Sequence, residues 1–75
     1  MKVLFFSSIA EITGCKEREI KGFDSVLKFK TQLESEFPGI KAINYSIAVN
    51  RAVIHNDLGL NEDDEVALLP PFSGG

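Results

Sequence analysis

Cysteine, histidine and positive charge are what this sequence has least of, and each scarcity removes a class of function. The one cysteine, Cys15, cannot close an internal disulfide or build a thiolate metal site by itself. It shares no predicted face with a histidine and reads as a small turn residue rather than a nucleophile. The one histidine, His55, sits in a polar stretch without a second ligand at a useful spacing, so no metal is assigned. Lys plus Arg number 8 against 11 Asp plus Glu, and Lys28 and Lys30 are the nearest approach to a basic run. Nucleic acid is therefore not expected as a partner, because neutralising phosphates takes a basic patch. No stretch approaches the ~20 apolar residues that span a bilayer. MKVLFF runs straight into serines, unlike a secretory leader. A soluble, cytoplasmic protein without a membrane partner is expected, with no internal repeat, linker or low-complexity segment.

What is present points to a packed globule. The chain is 44% hydrophobic, with 6 phenylalanines and only 3 prolines among 75 residues, a composition too rich in large apolar side chains for a disordered tail. That length carries one core, so residues 1–75 are read as one domain. KVLFF at 2–6 is a strand, buried on at least one face. SSIAEITG supplies a turn or two of helix, with Ser7 or Ser8 as cap, Ile9 and Ile12 on one side and Gly14 as stop. KEREIK at 16–21 suits a charged edge strand pairing with the first. The main helix starts at Asp24 or Ser25 and runs to about Phe37, because Val26, Phe29, Leu33 and Phe37 recur at spacings of three and four. Pro38 and Gly39 end it. Residues 45–49 and 52–54 form a hairpin turning at Asn50 and Arg51. HNDLGLNEDDE is a connecting loop with room for one helical turn, and EVALL at 65–69 is the final strand. The expectation is an α+β domain, a mixed sheet with one main helix packed across one face.

The stretch LLPPFSGG at 68–75 carries the chemistry. Pro70 and Pro71 hold φ near -65° and force extended geometry on the residues before them, so the chain leaves its strand stiffly. From Pro70 to Gly75 it reaches about 20 Å when extended, enough to enter a partner's buried site. Gly74 and Gly75 lack a β-carbon, so a carboxylate at Gly75 passes where any other residue is too wide. A carboxylate acylates nothing until one oxygen becomes a leaving group, and adenylation by ATP supplies that. Two glycines alone also suit a bare flexible terminus. The strand, the paired prolines and Phe72 ahead of them favour a working tail.

KVLFF with a short helix ending at Gly14, a helix closing on FPG, AVN at 48–50, DDEVALLPP at 63–71 and the final GG occur together in that order. As a set they resemble the MoaD-like small subunits of molybdopterin synthase, sulfur carriers of the MoaD/ThiS family with the ubiquitin-like β-grasp fold. The resemblance covers almost the whole chain. It implies that an ubiquitin-activating-like adenylyltransferase activates Gly75 at the expense of ATP. Sulfur from a donor then replaces AMP to leave a thiocarboxylate, and the tail enters the large synthase subunit within a heterotetramer. There sulfur passes to cyclic pyranopterin monophosphate, two deliveries completing the dithiolene of molybdopterin. Gly75 would carry the sulfur, Gly74 allow passage, and Pro70, Pro71, Phe72 and Ser73 guide the tail. Phe72 stands where the family usually has a smaller aliphatic residue. The chain itself would be no enzyme and bind no cofactor. A thiamine-pathway carrier, a protein modifier using the same activated glycine, and a plain interaction module are the alternatives; the paired prolines set the first of these apart.

One expectation concerns docking. If Val3, Phe5, Val66 and Leu68 face the helix, alternation turns Leu4, Phe6, Ala67 and Leu69 to the other side of the sheet, where no second helix layer covers them. Phe6 and Leu69 are then partner-binding residues on an apolar patch, or else core covered by loops. Asp63, Asp64 and Glu65 could meet a basic partner, though an acidic loop is ordinarily just solvated.

Overall fold

The computed structural model describes residues 1–71. In chain order it contains strand β1 (Lys2–Phe5), helix α1 (Ser7–Thr13), β2 (Glu17–Glu19), helix α2 (Val26–Glu36), a 3-10 turn (Pro38–Ala42), β3 (Ser46–Val49), β4 (Ala52–Ile54) and β5 (Glu65–Leu69). The strands make one mixed sheet in the order β2-β1-β5-β3-β4. β5 is its centre, parallel to β1 with Phe5 opposite Leu68, and antiparallel to β3 with Ser46 opposite Leu69. This is the expected α+β layout.

Alternation along the strands builds the core. Val3, Phe5, Val66 and Leu68 are at most 2% exposed and meet Val26, Phe29 and Leu33 of α2, so the helix stripe and the inner sheet face are one cluster. Each such side chain contributes about 1.5–3 kcal/mol on burial. Phe37, at the end of the stripe, is half-buried against the same cluster. Ser25 caps α2 by accepting the Lys28 N–H (3.3 Å), and Gly14 closes α1 with φ 80, a left-handed backbone that glycine takes without strain.

Two expectations are corrected and a third is extended. The cap position of α1 is Phe6, with no side-chain hydrogen bond, because Ser7 adopts φ 48 to turn the chain from strand into helix. The loop after β4 is the connecting loop expected but has no helical turn, since the groups of its middle are engaged by the start of α2 and the residues just before it. The Val26 N–H donates to the Leu58 carbonyl (2.9 Å), the Leu60 N–H to the Asp24 carbonyl (2.9 Å), and Asp57 Oδ1 accepts the N–H groups of Leu27 and Leu58. Pro38 and Gly39 do stop α2 but also open the 3-10 turn, which carries the fully buried Ile40 into the core.

The β3–β4 turn is where the AVN and DDEV segments meet. Asn50 (φ 51) and Arg51 (φ 71) are both left-handed, the two-residue hairpin geometry that matches strand twist. The Asn50 side chain donates to Asp64 Oδ1 (3.0 Å) and accepts the Glu65 N–H (3.0 Å), while Asp64 Oδ2 accepts the Asn61 N–H (2.8 Å). The hairpin is thereby latched to the entry of β5. The Asn61 amide, and then the Asn50 side chain, favour ionised Asp64 and hold its carboxyl below the usual range. Its support is complete above the ordinary carboxylate value of ~3.9 and is lost as pH falls through the lower, folded value. Asn50→Ala removes both side-chain bonds and leaves a β-carbon in left-handed backbone without polar compensation, so we expect a loss of about 2–3 kcal/mol, read as a lower melting temperature. In Asp64→Asn the acid limb of the unfolding curve should flatten in the same pH range. Equal melting temperatures for Asn50→Ala and the parent chain would rule the latch out.

Candidate functional site

The candidate site is the end of β5 together with the sheet face turned away from α2. Because paired residues share a face, Leu4, Ala67, Ala48 and Val53 form one row across β1, β5, β3 and β4. Phe6, Leu69 and Ser46 continue the surface toward the exit of the chain. Phe6 is 43% and Val53 48% exposed, and Leu4, Ala67 and Leu69 are half-buried. Neither Phe6 nor Leu69 is enclosed by loops, so an apolar surface is present where alternation placed it. Glu17, opposite Leu4, and the next row of Glu19, Lys2 and Glu65 give this surface a charged margin.

β5 stops at the paired prolines. Leu69 is its last residue, Pro70 is half-buried and Pro71 is exposed; neither proline has an N–H to donate to a ladder. Phe72, Ser73, Gly74 and Gly75 lie outside the described residues. A carboxylate borne by such a tail accepts hydrogen bonds and attacks electrophiles weakly, so the tail has chemistry to offer only once it is activated elsewhere.

The other residues singled out from sequence do not join this site. Cys15 is half-buried, with its Sγ 3.9 Å from Thr13 Oγ1. His55 is exposed, and among the described residues there is no cluster of three or more potential metal ligands. Asp63 is exposed and Asp64 belongs to the latch described above, whereas Glu65 lends its N–H to the latch and stands in the charged margin of the surface. No helix of the described residues is long and apolar enough to cross a membrane.

One neighbour of the exit is absent from the sequence reading. Tyr45, directly before β3, donates its hydroxyl to Glu34 Oε2 of α2 (2.6 Å), and the Lys30 Nζ lies 5.5 Å from the centre of its ring. Burial, and then the Glu34 carboxylate, push the phenol's pKa far up, so it remains a neutral donor at any physiological pH. The two residues are eleven apart in sequence on different elements, and no local pattern pairs them.

Comparison with known proteins agrees with this geometry. A human protein named molybdopterin synthase sulfur carrier subunit is 30% identical over 82 residues, spanning 100% of this chain and 93% of its own length. A solved complex of subunits 1 and 2 of molybdopterin-converting factor from Helicobacter pylori contains a chain 34% identical to this one. It superposes with a TM-score of 0.71, covering 99% of this chain and 96% of that one. The small archaeal modifier protein 1 of Methanosarcina acetivorans superposes with a TM-score of 0.81 at 24% identity, over 99% and 94% of the two chains, a likeness of fold. The β-grasp arrangement expected from sequence is the one these structures share. The chain belongs to the ThiS family, whose model matches residues 3–75.

Proposed function

We propose that this protein is a sulfur carrier, the small subunit of molybdopterin synthase, and a substrate of an ATP-dependent activating enzyme rather than an enzyme by itself. The observation that carries the reading is a central strand running directly into Pro70 and Pro71 beside an uncovered apolar face. The strand fixes the root of the tail, the prolines stiffen it, and the face gives a partner somewhere to bind while the tail is inside it. A Gly75 carboxylate oxygen would attack the α-phosphorus of ATP, releasing pyrophosphate and forming an acyl-adenylate. Sulfide, delivered as HS⁻ by a donor, would then attack the acyl carbon and expel AMP, leaving the thiocarboxylate and a proton. In the large subunit that sulfur passes to cyclic pyranopterin monophosphate, and the carrier returns as its carboxylate after hydrolysis. Phe6 and Leu69 dock the partner, Pro70 to Gly74 lead the tail, and two copies of each subunit make the assembly. Residues 1–75 act as one carrier domain with no cofactor of their own.

Mass spectrometry of the protein isolated from its native cells tests this. The expected result is a mass gain equal to the exchange of one oxygen for sulfur, localised to the C-terminal peptide. Lysine-linked adducts without that gain would instead make the protein a modifier. In parallel, Phe6→Glu should weaken association with the large subunit by ~10-fold or more in calorimetry, as burying an unpaired charge in an apolar contact requires.

A further inference from the structure

We propose that Tyr45 is a positioning residue for the tail: through its bond to Glu34 it fixes the Ser46–Leu69 pair, from which the chain leaves the sheet. The proposal rests on the carrier reading above. The parallel register between β1 and β5 ends at Phe5 and Leu68, one residue short of the exit. On the other side the register runs on to Ser46 and Leu69, so the last strand pair before the prolines is made with β3 alone.

Ser46 is held no better than Leu69. It is the first residue of β3, and the pairing with β4 stops at Ile47 and Ile54, so Ser46 has no partner on that side. What fixes it is the residue before it. Tyr45 is tied at both ends: its N–H donates to the Ile43 carbonyl (2.9 Å), and its hydroxyl reaches the carboxylate of Glu34. Glu34 stands on α2 one residue after the buried Leu33, so the carboxylate is carried by an element anchored in the core. A hydrogen bond to a charged acceptor is about twice as strong as a neutral one. The line of support therefore runs from α2 through Glu34 and Tyr45 to Ser46 and Leu69. Loss of the phenol's bond loosens the Ser46–Leu69 pair and with it the root at Pro70, from which the reacting end must be aimed. A misplacement of about 1 Å costs ~100-fold in the worst case for a reacting group.

The test uses the full-length chain, its activating enzyme and ATP. Amide exchange by NMR reports the root of the tail, and steady-state adenylation reports its aim. Tyr45→Phe and Glu34→Ala should raise exchange at Leu69 by ~10-fold while leaving the amides of Val3 and Leu33 as they were. The same variants should lower kcat by ~10-fold with KM changed less than ~2-fold, because the apolar docking face is intact. Glu34→Gln keeps an acceptor for the phenol and should stay within ~2-fold of the parent in both measurements. Unchanged exchange at Leu69 in Tyr45→Phe would overturn the proposal. So would uniform acceleration across β1 and α2, which is the mark of ordinary destabilisation, or a Glu34→Gln variant as impaired as Glu34→Ala. If the parent chain itself forms no adenylate, the carrier reading fails, and the exchange data alone still decide whether Tyr45 holds the exit.

Discussion

One tryptophan added after Gly75 should abolish adenylation by the activating enzyme and leave the fold untouched. The extra residue moves the terminal acyl group by about 3.3–3.6 Å and puts a large side chain where two glycines leave none. A shift of that size is several times the ~1 Å error that already costs ~100-fold, so the loss of pyrophosphate release should exceed ~100-fold. Melting temperature should not move, because the last described residue, Pro71, is already exposed and the core ends at Leu68. Pyrophosphate release at the parent rate, with the added residue still present by mass spectrometry, would remove the tail from the chemistry altogether.

Phe29→Ala is expected to be the most damaging single change to the fold. Phe29 is 1% exposed and is the largest fully buried side chain, meeting Phe23 edge-to-face with ring centres 5.9 Å apart and planes at 73°. Truncating a buried phenylalanine typically costs ~3–5 kcal/mol through lost transfer energy and the cavity left behind. A chain of 75 residues has roughly 4–11 kcal/mol to lose. The melting temperature should therefore drop by ~15–30 °C by circular dichroism. Leu27→Ala is the contrast: Leu27 lies on the same helix but is 59% exposed, and its loss should stay within ~0.5 kcal/mol of neutral. Similar drops for the two variants would mean that α2 does not face the sheet as described.

Local rules carried most of the architecture. The span of β5 was legible to the residue because EVALL is bounded by acidic residues and prolines. The inward parity of Val3, Phe5, Val66 and Leu68 followed from alternation combined with the helix stripe, and so did the exposure of Phe6. What escaped was contact between distant segments. Ile40 follows Pro38 and Gly39, which read as a stop, and only the closed structure shows that the turn behind them carries a core residue. AVN and DDEV were each visible as segments, yet the bond from Asn50 to Asp64 spans fourteen residues and depends on a sheet that brings them together. Tyr45 and Glu34 fall to the same limit. The stretch after β4 is the connecting loop expected, and the turn of helix it had room for is absent because Leu58 and Leu60 bond Val26 and Asp24 at and just before the start of α2.

The position of β5 bears on how the protein is made. With the order β2-β1-β5-β3-β4, a nascent chain that stops before residue 65 holds two separate pieces of sheet, each with a bare inner edge. Neither can close over α2 until the keystone between them is inserted, so closure of the core waits for β5 to be made. A chain cut short before residue 65 should therefore lack a closed core and be digested readily by proteases.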